Sequence, residues 1–456
     1  MPDGLILVFM LAVFTALSVG LKVPLGVSLA LAAVTGALLG GEGLALRHLI
    51  EGAFGFFDLI VIIASAMIFM KVLREAGILD GLTAVILRTF YRNRPALLLT
   101  LMLLLMFPGM ITGSSLAAVL SIGPLVAPVL IKLGLPRVKT AAFIALGAIL
   151  GMIAPPVNIL VMIMGGGVDM PYAGLTLPLL IIVVPLAVII ALGLGLKDLK
   201  SVSAEEMKAL LPESVSRDEP SARHSPVVCI HGRVRRKLTP GQSPGPRPPS
   251  EKNGVRLYLP LLLVLTLMIL QNLNVPLIRD LGLPAIFFIG SLSGLFCGRP
   301  FNFIKATQKA VEEAMPILSI LAGVGMFIQV MTLTGARGWA VTTFLSLPPA
   351  LLYASIGVSL PLFGGVSAFG SASVLGVPFL LALINKNALI TSSALSAIVG
   401  IGDLMPPAAM AARFSAQVVG ERSFFKVLRY CLVPAILLLA MGLGVLWLAP
   451  LLDKIM

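Results

Sequence analysis

Charge is scarce in this chain. Asp, Glu, Lys and Arg make up 12% of its 456 residues, about half the share of a water-soluble domain. With 58% hydrophobic residues and a mean hydropathy of +1.05, the shortage excludes a soluble globular protein and points to a polytopic membrane protein. Histidine and cysteine are also few, three of each. Cys229, Cys297 and Cys431 have neither metal-ligand nor disulfide spacing. His48, His224 and His231 stand away from any Cys or carboxylate at ligand spacing, so neither a metal centre nor a resident cofactor is expected. No His, Cys or carboxylate pair converges on one face, which argues against a membrane enzyme. The first apolar run, Leu5 to Val19, lacks a basic leader, and no cleavable signal is expected. The net charge of +13 does not imply a nucleic-acid partner, because Lys and Arg gather in loops beside apolar runs, as they do on the cytoplasmic side of a membrane.

Against that apolar background two polar clusters stand out. Gly109, Thr112, Gly113, Ser114 and Ser115 form the first, with Pro155-Pro156 further on. Gly364, Gly365, Ser367, Gly370, Ser371 and Ser373 form the second, with Pro406-Pro407 further on. Interrupted backbone is costly in lipid, where freed N–H and C=O groups find no water. It persists where it lines a binding cavity, and two copies in corresponding places point to a secondary transporter with its site near the midplane.

The chain divides around one polar stretch. Residues 197–256 are rich in Pro, Ser and Arg, with 12 Lys/Arg against 7 Asp/Glu, and read as a linker without a core. The flanking segments, 1–196 and 257–456, read as repeats. Ala64, Phe69, Val72 and Gly77 match Ala322, Phe327, Val330 and Gly335 at a constant offset of 258. Gly113-Ser114 match Gly370-Ser371 at 257, and the double prolines match at 251.

The basic residues set an expected topology. A cytoplasmic linker, Lys71 and Arg74 inside, and basic ends at both Arg94 and Lys132 make 95–131 a re-entrant hairpin. The segment 138–165 is then a crossing helix broken at Pro155-Pro156. The same reading makes 349–384 a second hairpin and 388–417 a second broken helix. Each repeat has five crossings and one hairpin. Five is odd, so the repeats run in inverted topology, with both termini outside and the hairpins entering from opposite faces. The expected fold class is all-α.

Candidate site residues follow from this arrangement. Gly113 lets backbones meet at the first tip. The hydroxyls of Thr112, Ser114 and Ser115, with free carbonyls before Pro155 and Pro156, make an oxygen-rich nest suited to a small hard cation. Ser115 and Asn158 are also candidates for the substrate. The second nest uses Gly370, Ser371 and Ser373 with the carbonyls before Pro406, and Ser373 and Pro407 face the substrate. Small residues that merely let helices pack closely are the alternative for either nest. Asp403 lies three residues before Pro406 in an apolar run. A carboxylate at that depth is expensive. It ligates a cation, carries a proton, or caps the restarted helix. Met152 holds the equivalent place in the first half.

The run Gly109-Met110-Ile111-Thr112-Gly113-Ser114-Ser115, then Ile122-Gly123-Pro124, Gly134 and Gly151-Met152-Ile153-Ala154-Pro155-Pro156, resembles the large membrane subunit of tripartite ATP-independent periplasmic (TRAP) transporters, as does Val23-Pro24-Leu25-Gly26. The resemblance covers nearly all of the chain outside the linker. It implies an elevator transporter of the ion transporter superfamily in a bacterial inner membrane, importing an organic anion by sodium symport, with protons as the alternative coupling ion. It implies two partners, a small membrane subunit and a periplasmic solute-binding protein. It places the sodium sites at Gly113, Ser114, Ser115, Pro155 and Pro156 and at Gly370, Ser371, Pro406 and Pro407. A self-sufficient carrier of the same superfamily, without a binding protein, is the runner-up. Val157-Asn158 and Asp403 depart from the family pattern.

Overall fold

The computed structural model of the chain describes residues 2–172, 174–199, 255–273, 275 and 281–454. Most of the polar linker, 200–254, lies outside the described residues. Among the described residues there are helices and no strands, as membrane-embedded backbone requires when each segment must satisfy its own hydrogen bonds.

The N-terminal helices are α1 (Asp3–Thr15, running on as a π turn Ala16–Gly20), α2 (Leu25–Gly40), α3 (Leu46–Phe54), α4 (Phe57–Glu75) and α5 (Ile78–Phe90). Next come α6 (Arg94–Thr112), α7 (Ser115–Lys132), α8 (Arg137–Ile153), α9 (Ile159–Gly166) and α10 (Thr176–Gly195). Beyond the linker are α11 (Leu259–Asn272), α12 (Gly282–Ser293), α13 (Phe303–Leu333) and α14 (Ala336–Leu345). The last group is α15 (Pro349–Gly364), α16 (Ala368–Ser371), α17 (Val377–Ala382), α18 (Ala388–Gly400), α19 (Met410–Val419) and α20 (Phe424–Leu452).

Six described helices are long and apolar enough to cross a membrane: α1 with its π turn, α6, α7, α10, α13 and α20. The pair α3 and α4, bent by 42°, makes a seventh. Others, including α2, α11, α12, α15 and α18, are apolar but shorter. Three helices were not foreseen from apolar runs: α3, α5 and α14. They are short, and α3 and α5 are amphipathic. Leu49 and Gly52 of α3 are buried while Arg47 and Glu51, an exposed ion pair at 2.8 Å, face out.

The helices pack as two groups, each drawn from both halves of the chain. In one, α13 is the hub and contacts α2, α3 and α4, while α12 packs on α4 and α1 on α2. Phe69 of α4 stacks on Phe287 of α12 with centroids 5.9 Å apart, and Phe69, Phe287 and Phe327 are fully buried. In the other, α8 is the hub, touching α6, α7, α10, α19 and α20, while α18 packs on α15, α9 and α20. Lipid offers no hydrophobic drive for helices to associate, so close backbone approach between small residues must do more of the work.

Candidate functional site

The first hairpin turns in two residues. Thr112 ends α6, Gly113 takes the left-handed conformation at φ 62°, and Ser114 is extended. The Ser114 hydroxyl accepts from the Ala117 amide at 3.3 Å and caps α7. A Cβ on Gly113 would stand 2.4 Å from the Ile159 side chain, so glycine is needed both for its conformation and for its size. Thr112 donates to the Pro108 carbonyl at 2.7 Å.

Opposite this tip the backbone between α8 and α9 is open. The bond between Pro155 and Pro156 is cis. The freed Val157 amide donates to the Met110 carbonyl of α6 at 3.1 Å. Asn158 splints the gap. Its Oδ1 accepts from the Val161 amide at 3.1 Å, and its Nδ2 donates to the Ile153 carbonyl at 2.9 Å and to Ser396 Oγ of α18 at 3.0 Å.

The second hairpin repeats the plan with changes. α15 ends at Gly364, and Ser367 is extended and caps α16, accepting from the Gly370 amide at 3.1 Å. α16 has only four residues and passes through a π turn, Ala372–Gly376, into α17. The second break follows the 3₁₀ turn Ile401–Leu404 and contains the cis Pro406-Pro407 bond. Here the Ala408 amide donates to the Gly365 carbonyl at 2.9 Å, the counterpart of the bond from Val157 to Met110.

The two tips and the two helix groups enclose a cavity of about 450 Å³. The hairpin group lines it with Thr112, Ser114, Ser115, Ser121, Ser367 and Asp403, among others. The α13 group lines it with Lys71 and Arg74 of α4 and Glu313 of α13, among others. Ser115 Oγ donates to Asp403 Oδ2, so residues 288 positions apart meet in one wall. Lys71 Nζ pairs with Glu313 Oε1 at 2.5 Å across the opposite wall.

The sequence-derived candidates therefore separate. Thr112, Ser114, Ser115 and Asp403 line the cavity. Gly113, Pro155 and Pro406 shape the turn and the breaks without lining it. Asn158 is spent on backbone and on Ser396. Ser371 donates to the Leu360 carbonyl at 2.8 Å and Ser373 to the Gly370 carbonyl at 2.9 Å, and neither lines the cavity. Pro407 is exposed and also outside the lining. By its capping role the partner of Ser114 is Ser367, not Ser371. The Gly-Ser dipeptide match hid this, because the register shifts by four residues at the second tip. Lys71 and Arg74, used in the sequence only to set the inner side, also line the cavity, as does Glu313, which the sequence did not single out. The one-turn spacing of Lys71 and Arg74 on α4 was the available signal. Among the described residues, no group of three or more His, Cys, Asp and Glu could hold a metal ion.

Apolar helices, two of them broken, around a largely apolar cavity with a few polar and charged groups define a multi-pass membrane protein. The chain matches the tripartite ATP-independent periplasmic transporter DctM component over residues 8–451. It belongs to that family, the large membrane component of a tripartite transporter, which implies a small membrane component and a binding protein as partners; it is a transporter family and not one of enzymes. Among solved structures the fold is similar to the YdaH transporter of Alcanivorax borkumensis, with TM-score 0.56 at 15% identity over 88% of this chain and 86% of that one. It is also similar to MtrF of Neisseria gonorrhoeae, described within a class of antimetabolite efflux pumps, with TM-score 0.53 at 14% identity over 88% and 83%. No curated protein matches the chain significantly.

Proposed function

We propose that the chain imports an organic acid across a bacterial inner membrane by cation symport, with sodium as the coupling ion, as the permease subunit of a tripartite system. The observation that carries this reading is the meeting of Ser115 and Asp403 in a cavity between the two helix groups. A sodium ion is hard and takes oxygen ligands. Among the described residues, Asp403 brings the only acidic oxygens on the hairpin side of the lining, with the Ser115 hydroxyl beside them and Thr112 and Ser114 near. On ion entry the Ser115 hydroxyl turns its lone pair toward the ion, and Asp403 gains the counter-charge that its apolar setting lacks. Charge compensation on this side of the cavity then ties ion binding to substrate binding.

In the same reading the segments 1–196 and 257–456 are inverted repeats. The group around α8 moves as an elevator against the group around α13. Lys71 and Arg74 stand on the side that the basic residues assign to the cytoplasm, so the cavity is inward-facing. Attack on a cysteine placed in the 200–254 stretch by an impermeant reagent added outside whole cells would overturn that topology.

The deciding experiment is uptake in proteoliposomes of a carboxylate panel, with and without an inward sodium gradient, each with and without the cognate binding protein. Sodium-dependent uptake that needs the binding protein is expected. Uptake without it establishes a stand-alone carrier, and uptake driven by a proton gradient alone removes sodium from the mechanism.

A further inference from the structure

We propose that Lys71, Arg74 and Glu313 form a displaceable carboxylate site at the open end of the cavity. Glu313 holds the place that a substrate carboxylate takes, and the substrates are monocarboxylates with an apolar body. This rests on the transporter reading above.

The two partners of the ion pair are placed unequally. The Lys71 side chain is 10% exposed and that of Glu313 is 52% exposed. The ammonium is fixed in the wall, while the carboxylate can swing into water at little cost. Removing Glu313 without replacement would strand a largely buried ammonium, which is strongly unfavourable. The exchange must therefore be one carboxylate for another. Arg74, three residues on along α4, lines the same wall. Among the described residues its side chain has no hydrogen bond or ion pair; it acts at a distance on Asp80. Its guanidinium offers a planar fork matched to a carboxylate. The wall thus carries two cations and one internal carboxylate, a surplus of one positive charge for an incoming anion.

The rest of the lining narrows the substrate. Away from this wall the only charged lining residue among the described residues is Asp403. A coupling cation neutralises Asp403 but leaves no positive group there for a second carboxylate. Met67, Leu116, Leu120, Ile317, Ile320 and Phe369 fill much of the lining between. A cavity of about 450 Å³ is within the range of small-molecule sites. One carboxylate at this wall and an apolar body fit it, and a dicarboxylate extended like adipate carries its second charge away from the two cations and leaves it unpaired.

Equilibrium binding to the full-length protein in lipid nanodiscs tests this with three six-carbon probes: hexanoate, adipate and hexanamide. Hexanoate is expected to bind at least about tenfold more tightly than adipate or hexanamide, the scale of a charge-assisted hydrogen bond. Arg74→Gln weakens hexanoate by about tenfold and Arg74→Lys by less, because it keeps the charge and loses the fork. Glu313→Gln, at an exposed position, removes the internal competitor and tightens hexanoate by about threefold or more. Weaker hexanoate binding in Glu313→Gln, unchanged binding in Arg74→Gln, tighter binding of adipate than hexanoate, or no hexanoate binding would each overturn the site. Sodium titration of the same samples keeps the two readings apart. Hexanoate binding that ignores sodium counts against coupled transport and leaves this site standing. Sodium-driven uptake of dicarboxylates with adipate bound more tightly sustains transport and ends the proposal.

Discussion

Pro155 is buried and Pro156 half-buried, whereas Pro406 and Pro407 are both exposed. α7 runs 18 residues from its cap at Ser114, whereas α16 runs four from Ser367 before a π turn. Met152 before the first double proline is buried among apolar side chains, and Asp403 before the second faces the cavity. Yet both sides share three devices. Gly109 crosses Gly151, and Gly364 crosses Gly402, each too closely for a Cβ. An amide of each break reaches a carbonyl of its hairpin at 3.1 and 2.9 Å. A serine caps the returning helix. The shared devices hold the backbone, and the differences carry the charge. The second break holds a carboxylate where the first has Met152, and the first hairpin tip sets Ser115 against it.

Exchanging the residues at the unshared position gives the largest expected effect. Asp403→Asn keeps the shape and removes the charge, and coupled uptake should fall about a hundredfold, near 2.7 kcal/mol. Met152→Leu, a volume-conserving change, should cost less than about 1.5 kcal/mol of stability and leave uptake intact. Uptake against sodium concentration and pH, with thermal unfolding in parallel, reads both. Near-normal uptake by Asp403→Asn would reduce that residue to a cap and dissolve the asymmetry. The shared glycine crossings come next. A Cβ on Gly151 would lie 2.3 Å from the Met106 carbonyl oxygen, and one on Gly402 would lie 2.5 Å from Gly364 backbone. Gly151→Ala and Gly402→Ala should each destabilise by about 1–3 kcal/mol, as overpacking does. A large loss in one and none in the other would show that the halves do not share the crossing.

What the sequence revealed follows the range of the forces. Shortage of charge announces a multi-pass helical protein, and Gly109 to Pro156 is a contiguous signature, so family and class were legible. The cost of Asp403 in an apolar run is also local. The amphipathic α3 and α5 are half polar and leave no apolar run to find. The tip register was misread because Ser371 repeats the Gly-Ser dipeptide while the cap, set by backbone geometry and by the π turn beyond it, falls on Ser367. The pairs Ser115 with Asp403 and Lys71 with Glu313 join segments 288 and 242 positions apart, for which one sequence holds no pattern. The expectation that Ser371 serves a cation is sharpened accordingly. Ser115→Ala should raise the half-saturating sodium concentration severalfold. Ser371→Ala should leave it unchanged and cost about 1 kcal/mol of stability from its bond to Leu360. Equal sodium effects in both would restore Ser371 to the site.

The smallest effect concerns the caps, which the two sides share in kind but not in consequence. Ser114 accepts at 3.3 Å and Ser367 at 3.1 Å, so each serine-to-alanine change removes a similar bond, worth about 1 kcal/mol. The helices behind them differ. α7 propagates for 18 residues and loses only its first turn when the cap goes. α16 has four residues before the π turn, too few to hold itself once the Gly370 amide loses its partner, since a short helix lacks propagation bonds to offset nucleation. Ser367→Ala should therefore speed amide exchange across 367–376, while Ser114→Ala speeds it only near 115–118. Thr at either position restores protection, because it caps nearly as well. Exchange confined to one turn in both variants would mean that contacts around the π turn, and not the cap, hold the second tip.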